Sequence, residues 1–156
     1  MLSVIPIAEA LSLVLEKFSR GAASLETVSL EYASGKFLGA DITAEEDLPA
    51  FNRSTVDGFA VRSADLLGCS DSIPAILEKT GESVMGKACV IPLTPGSCVY
   101  VPTGGAVPPE ADAVVMLEYS EDFGGGQFAF YKPAASGANL ILRGEDLRTS
   151  ETILKS

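Results

Sequence analysis

The sequence predicts a mainly β chain with one N-terminal helix, folded as a small barrel or sandwich. From residue 46 onward, short apolar segments recur about every ten residues and are separated by proline and glycine. Only residues 6–20 have the apolar spacing of an amphipathic helix. Because the short segments do not alternate with regular helices, the pattern disfavours a doubly wound α/β domain.

The helix predicted over residues 6–20 has one apolar face. Pro6 suits the first helical position, and Gly21 is typical of a helix end. The apolar face packs either on the chain's own core or on a part of the protein outside this sequence. Its members recur at helical spacing and are Ile7, Leu11, Val14, Leu15 and Phe18.

The remaining elements are predicted strands. Alternation at residues 28–30 and the segment 37–43 indicate two strands flanking a turn at 33–35. A hairpin over 119–131 follows from the three glycines at 124–126, which supply the positive φ angles of a tight turn. The other predicted strands are 58–62, 73–80, 88–91, 97–101 and 113–118.

Composition excludes several classes of function. The chain of 156 residues has 11 basic and 21 acidic side chains, and its net charge of −10 argues against nucleic acid or an anionic membrane as the main partner. It contains no histidine, which removes Ser-His-Asp and Cys-His catalysis and histidine metal sites. The three cysteines are expected to be buried or half-buried free thiols, namely Cys69, Cys89 and Cys98.

The same reasoning gives an expected location. The N-terminal residues have no basic stretch and no small-residue cleavage site, so they do not resemble a signal peptide. No apolar run approaches the length of a membrane span. Free thiols fit a reducing compartment. We therefore expect a soluble, cytoplasmic protein.

Two segments carry polar groups beside glycine. Segment 47–65 contains Asp57-Gly58, where the carboxylate is either accessible to a ligand or used in a local Asx turn. Segment 95–118 contains Thr103-Gly104-Gly105, which is either a small anion nest of N–H groups or a strand-to-loop transition. No Gly-Lys-Ser/Thr continuation follows, so the second segment is not a P-loop.

A third segment, 139–147, contains neighbouring carboxylates. Glu145 and Asp146 either bind a cation or form a solvated pair with Arg143, and the second interpretation is favoured.

In this order, the three segments resemble the N-terminal part of the MoeA family of molybdopterin molybdenumtransferases, which includes the E domain of gephyrin. The family pattern reads LPPF-x-x-S-x-[MV]-DG, then TGA followed by GADAVV, then G-x-N-[VI]-R-x-x-GED. It corresponds here to residues 48–62, 101–118 and 137–146. The third segment is spaced more loosely than the pattern, and the substituted positions are Ala50, Pro102, Gly105 and Glu110.

The resemblance implies a discontinuous domain organisation. An N-terminal helix over 1–21 precedes a strand lobe formed by 22–45 plus 134–156, into which a β-barrel-like lobe over 46–133 is inserted. In the family, a larger α/β domain and a C-terminal β-barrel follow. The chain is therefore expected to be the N-terminal module of a longer protein.

The resemblance also implies a reaction. Family members insert molybdate into adenylylated molybdopterin with Mg²⁺, release AMP and molybdenum cofactor, and act as homodimers. It implies that Asp57 and Thr103 are catalytic, that Asp57 is a metal ligand, and that Ser54 and Gly104 are cofactor-binding residues. The chain alone is expected to be inactive and to hold no cofactor tightly. The alternatives are a non-catalytic dimerisation or scaffold module of a gephyrin-like protein, and a free-standing small-ligand barrel.

Overall fold

A computed structural model describes residues 4–18 and 24–156. The chain divides into two compact units, Met1–Asp41 with Ser156, and Ile42–Lys155. The described residues form one α-helix and ten short strands, which confirms the mainly β class. Within these residues, no helix is both long enough and apolar enough to cross a membrane.

The first unit contains the single helix, α1, over Ile7–Lys17. This confirms the predicted helix, although its last two predicted positions lie outside the described residues. None of its residues is buried, and Ile7 is 88% exposed. The strand predicted at 28–30 is wrong, since Leu30–Tyr32 forms a 3-10 turn. There the Tyr32 N–H bonds the Ser29 carbonyl at 2.9 Å, a local bond that replaces cross-strand pairing.

The second unit is built from ten strands. A six-stranded sheet, curled into a half-barrel, has the order β6-β3-β5-β4-β8-β7, in which only β4 and β5 are parallel. Two small antiparallel pairs, β1-β10 and β2-β9, accompany it. The strands are β1 Ile42–Thr43, β2 Arg53–Ser54, β3 Gly58–Val61, β4 Ala75–Glu82, β5 Ser97–Val101, β6 Ala113–Met116, β7 Ser120–Gly124, β8 Gln127–Phe130, β9 Leu140–Ile141 and β10 Thr152–Leu154.

Most predicted strands of the sheet are confirmed, including β3, β5, β6 and the β7–β8 hairpin. The strand predicted at 88–91 is wrong, because residues 83–96 form an irregular connection. This connection joins β4 to β5, and parallel neighbours need a crossover that brings the chain back to the starting edge. The strand predicted over 37–43 is reduced to its last two residues, β1.

Three strands of the sheet, β3, β5 and β6, are buried on both faces, which makes this part of the sheet a rigid support. Along β3, Phe59 and Val61 belong to one apolar cluster, while Ala60 belongs to the other. Phe59 is 1% exposed, and its ring lies 4.5 Å from that of Phe128 and 5.6 Å from that of Phe130, measured between centroids. The loops entering and leaving β3 are therefore anchored on a packed core.

Asp47 ties the third sequence segment to the first. Its carboxylate accepts hydrogen bonds from Arg143 Nε at 2.6 Å, Thr149 N at 2.8 Å and Thr149 Oγ1 at 2.9 Å. Arg143 therefore pairs with Asp47, so the prediction that Arg143 pairs with Glu145 and Asp146 is wrong. The hydrogen bond from the Thr149 backbone N–H, and after it the hydrogen bond from Arg143, lower the pKa of Asp47 to about 2.

This lowered pKa predicts how stability depends on pH. The folded-state pKa lies below the value of an unfolded aspartate, so the Asp47 contacts stabilise the fold fully above about pH 4 and are lost as the pH falls towards 2. The difference in free energy of unfolding between the wild type and Asp47→Asn should therefore shrink over that range. Urea unfolding followed by circular dichroism measures it, with exposed Asp71→Asn as control. A difference that persists unchanged at the acid end contradicts the prediction.

Candidate functional site

The two loops singled out in the sequence meet at one end of the sheet. Asp57 immediately precedes β3, and Thr103 is the second residue after the end of β5. These strands are antiparallel neighbours with Gly58 opposite Val101, so the start of one lies beside the end of the other. Asp57 Oδ1 accepts a hydrogen bond from the Thr103 backbone N–H at 2.8 Å, across 46 residues of sequence.

A tight turn before β3 directs Asp57 outward. The Ser54 hydroxyl donates to the Val56 carbonyl at 2.6 Å and accepts from the Val56 N–H at 3.2 Å. Ser54 is buried, so its side chain holds the turn. The Asp57 carbonyl accepts the Leu117 N–H at 3.0 Å, while its carboxylate bonds Thr103 and forms no local Asx turn. The turn therefore leaves Asp57 exposed.

The glycine-rich loop after β5 has no free N–H groups. Thr103 N donates to Asp57, Gly104 N donates to the Ser54 carbonyl at 2.8 Å, and Gly105 N donates to the Pro102 carbonyl at 2.8 Å. Of the two interpretations of this segment, the anion nest is therefore wrong, and the strand-to-loop transition agrees with the structure. Gly104 has a φ of +78°, a conformation that a turn at this position takes readily only with glycine. All four residues expected at the site lie together.

Two oxygens of this site remain open. Asp57 and Thr103 are both exposed, and in the part of the chain that the structure describes, neither Asp57 Oδ2 nor Thr103 Oγ1 makes a hydrogen bond. A carboxylate oxygen accepts protons or binds a cation, whereas a hydroxyl both donates and accepts. The pair therefore offers a cation ligand and a hydrogen-bond donor on one rigid edge.

The residues fit Mg²⁺ only as a partial ligand set. Across residues 4–18 and 24–156 there is no group of three or more His, Cys, Asp or Glu side chains placed to hold a metal. Mg²⁺ usually keeps several waters and takes one or two protein carboxylates together with phosphate oxygens of a substrate. Asp57 can supply one such carboxylate, so further ligands must come from substrate, water or another part of the protein.

The structure adds one feature that the sequence reasoning missed. A shallow cavity of about 290 Å³ is lined by residues from four stretches of the chain, among them Asn52, Cys89 and Arg143. Asn52 Oδ1 accepts the Arg143 backbone N–H at 2.8 Å and so joins the first segment to the third. In the sequence, the one indication of this cavity is local, since Asn52 is a polar residue next to Phe51 in the first segment. The cavity itself depends on long-range contacts.

The cysteines agree with the prediction of buried or half-buried free thiols. Cys69 and Cys98 are buried and Cys89 is half-buried, with all three free. Burial raises the pKa of Cys69, and it raises that of Cys98 to about 12. Because thiolates are the reactive form, these two thiols are unsuited to nucleophilic chemistry.

Comparison with known proteins gives matches over nearly the whole chain. A molybdopterin molybdenumtransferase of Bacillus subtilis (strain 168) is 35% identical over 153 residues, which cover 96% of this chain and 35% of that protein. Molybdopterin molybdenumtransferase 2 of Mycobacterium tuberculosis (strain CDC 1551 / Oshkosh) is 34% identical over 128 residues, or 82% of this chain and 31% of that protein. The chain thus spans about a third of the length of these relatives.

The fold matches as well. The crystal structure of a molybdopterin biosynthesis MoeA protein from Pyrococcus horikosii superposes with a TM-score of 0.84 at 33% identity, covering 98% of this chain and 38% of that one. The family described as the MoeA N-terminal region (domain I and II) matches residues 5–156. These matches, together with the paired aspartate and threonine loops, show that the chain belongs to the MoeA N-terminal region family.

Proposed function

We propose that the chain is the domain I and II module of a molybdopterin molybdenumtransferase that inserts molybdate into adenylylated molybdopterin during molybdenum cofactor biosynthesis. One observation carries the proposal. The aspartate and threonine that the family motifs single out are hydrogen-bonded at 2.8 Å, and both are exposed. A contact between two surface loops that leaves an oxygen free on each side chain is suited to a ligand.

Each residue has a role in this proposal. The Thr103 N–H holds Asp57 Oδ1 in place, so that Oδ2 is positioned to bind a cation or to accept a proton from water. Thr103 Oγ1 donates a hydrogen bond to an oxyanion of the substrate. Ser54 and Gly104 contribute to substrate binding through the loop that they hold in place. Mg²⁺, when bound at Asp57, supplies positive charge that neutralises phosphate oxygens.

The charge of the chain indicates where the remaining groups lie. Molybdate and the phosphates of the substrate are anions, whereas this chain has a net charge of −10. Most cationic groups that hold these anions therefore belong to the rest of the protein. A homodimer in the cytoplasm, in which Asp57 and Thr103 reach the cleft of the partner subunit, completes the proposed site.

Genetic complementation tests the proposal. We expect the full-length gene to restore molybdoenzyme activity in a strain that lacks the transferase. We expect the purified 156-residue chain to show no turnover of adenylylated molybdopterin. Failure of the expressed, soluble full-length protein to complement would favour the non-catalytic scaffold module of a gephyrin-like protein. Turnover by the isolated chain would contradict the assignment of the remaining catalytic groups to other domains.

A further inference from the structure

Arg53 of β2 lies beside the site, between two antiparallel backbone partners. On one side it pairs with Ile141 of β9, and on the other it forms an isolated antiparallel bridge with Ala106. The next residue, Ser54, continues this pairing, because its N–H donates to the Gly105 carbonyl at 3.0 Å and its carbonyl accepts the Gly104 N–H. Arg53 is therefore fixed in the same pair of loops that positions Thr103.

Among the described residues, the side chain of Arg53 has no partner for its charge. Its Nε atom is buried, and in the described residues it has no hydrogen-bond partner. None of the ion pairs of the described chain involves Arg53 either. The cross-strand neighbours Ala106 and Ile141 have apolar side chains, which remove water and offer no acceptor.

A buried, unpaired guanidinium nitrogen lowers the stability of the fold unless another interaction compensates for it. A guanidinium carries five N–H donors in a rigid fork, and a buried unpaired donor or charge opposes folding. Acidic side chains are not scarce, because the chain has 21 of them. Among the described residues, Arg143 has a carboxylate partner in Asp47, whereas Arg53 has none and is the arginine whose Nε is buried without a hydrogen-bond partner. The guanidinium of Arg53 therefore remains available for an outside anion.

We propose that Arg53 is a binding group for a tetrahedral oxyanion of the phosphate type. The planar fork of arginine matches two oxygens of such an anion, and partial burial strengthens the contact because competing water is removed. The choice of a phosphate-type anion rests on the proposed function, whose substrates contain phosphate and molybdate. The anion site itself rests only on the unpaired guanidinium.

The direct test is a titration of the purified chain followed by NMR of the arginine Nε–H signals. Inorganic phosphate and molybdate are added separately, and the absence of one signal in Arg53→Gln assigns Arg53. We expect a saturating shift of the Arg53 signal. On the backbone N–H signals of the neighbouring loop, which both proteins retain, we expect the affinity to be lowered at least about tenfold in Arg53→Gln. The matched control Arg148→Gln removes the same charge from an exposed position and should bind like the wild type.

The two ions distinguish the source of the anion. A response to phosphate alone assigns Arg53 to a phosphate group of the substrate, and a response to molybdate alone assigns it to the inserted oxyanion. An Arg53 signal that moves with neither ion overturns the proposal, as does equal binding by Arg53→Gln. A stronger response to acetate also overturns it, since that indicates a carboxylate partner.

A second variant separates binding from folding. Arg53→Met retains the length of the side chain and removes the unpaired charge, so its thermal midpoint without added anion should equal or exceed that of the wild type. Phosphate should raise the midpoint of the wild type but leave that of Arg53→Met unchanged. A lower midpoint of the variant in anion-free buffer would show that the guanidinium has a structural role. These outcomes do not depend on complementation, so the two proposals fail separately.

Discussion

Replacing Gly58 with alanine is expected to lower the free energy of unfolding by about 3 kcal/mol or more. An alanine Cβ would lie 2.0 Å from the Val115 carbonyl oxygen and 2.9 Å from its carbonyl carbon. Val115 belongs to β6, which pairs with β3 along its whole length. Because the obstacle is backbone, relief requires the displacement of a strand with both faces buried, and no side-chain rotation suffices.

Gly81→Ala is the matched control for this substitution. Gly81 also lies in a strand of the same sheet, but its added Cβ would meet the Ile91 Cδ1 methyl at 2.8 Å. That methyl is the end of a flexible side chain, so we expect a cost within about 1 kcal/mol. Urea unfolding followed by circular dichroism compares the two, with tyrosine fluorescence as a second probe because the chain lacks tryptophan. Equal unfolding midpoints for the two variants would contradict the prediction, because they would show that β6 can shift at little cost in free energy.

The parts of the fold that depend on local patterns were predictable. The apolar residues at 97–101 and 113–116 mark strands of the central sheet, and three successive glycines mark the hairpin between β7 and β8. The candidate site was not predictable from local pattern alone, because Asp57 and Thr103 each had a purely structural alternative and were singled out by the resemblance to the family motifs. The structure joins the two residues by a hydrogen bond.

The features that depend on distant partners were not predictable from local pattern. Residues 88–91 resemble a strand, but the parallel pairing of β4 with β5 makes that stretch part of a crossover. The N–H groups at 103–105 resemble an anion nest, yet each has an acceptor within the chain. One of those acceptors is Asp57, 46 residues earlier.

Two departures from the family pattern are linked by a contact. An alanine Cβ at position 105 would lie 2.8 Å from the Pro102 carbonyl oxygen and 3.0 Å from Pro102 Cδ. Gly105, which replaces the alanine usual in the family, therefore avoids crowding against residue 102. That residue is Pro102 here and is often methionine in the family. In the sequence, Pro102 and Gly105 were two unrelated departures from the family pattern. In the structure the two substituted positions are neighbours in the loop after β5, where the Gly105 N–H also donates to the Pro102 carbonyl.

Replacing Asp57 with asparagine in the full-length protein is expected to lower molybdenum cofactor formation by about 100-fold. Asparagine has nearly the shape of aspartate, and its side-chain oxygen can still accept the Thr103 N–H at Oδ1. What disappears is the negative charge and the free carboxylate oxygen. A large loss of activity with an intact loop therefore assigns the effect to chemistry, measured as cofactor formed from adenylylated molybdopterin and molybdate.

Asp122→Asn is the matched control for the Asp57 variant. Asp122 is also exposed, and its Oδ1 accepts one backbone N–H, from Gly124 at 2.8 Å. The two substitutions therefore remove the same charge from the same kind of hydrogen bond at two places on the surface. We expect Asp122→Asn to retain the activity of the wild type. Equal activity in both variants would exclude a catalytic or metal-binding role for Asp57.

Threonine variants separate the two halves of the site. Thr103→Ala keeps the backbone N–H that fixes Asp57 and removes only the hydroxyl, so we expect a smaller loss of about tenfold, with recovery in Thr103→Ser. Neither Asp57→Asn nor Thr103→Ala should change the urea midpoint of the 156-residue chain by much, because both side chains are exposed. Loss of activity without loss of stability is the signature of groups that act on a ligand, whereas parallel losses would make the Asp57–Thr103 contact a structural one.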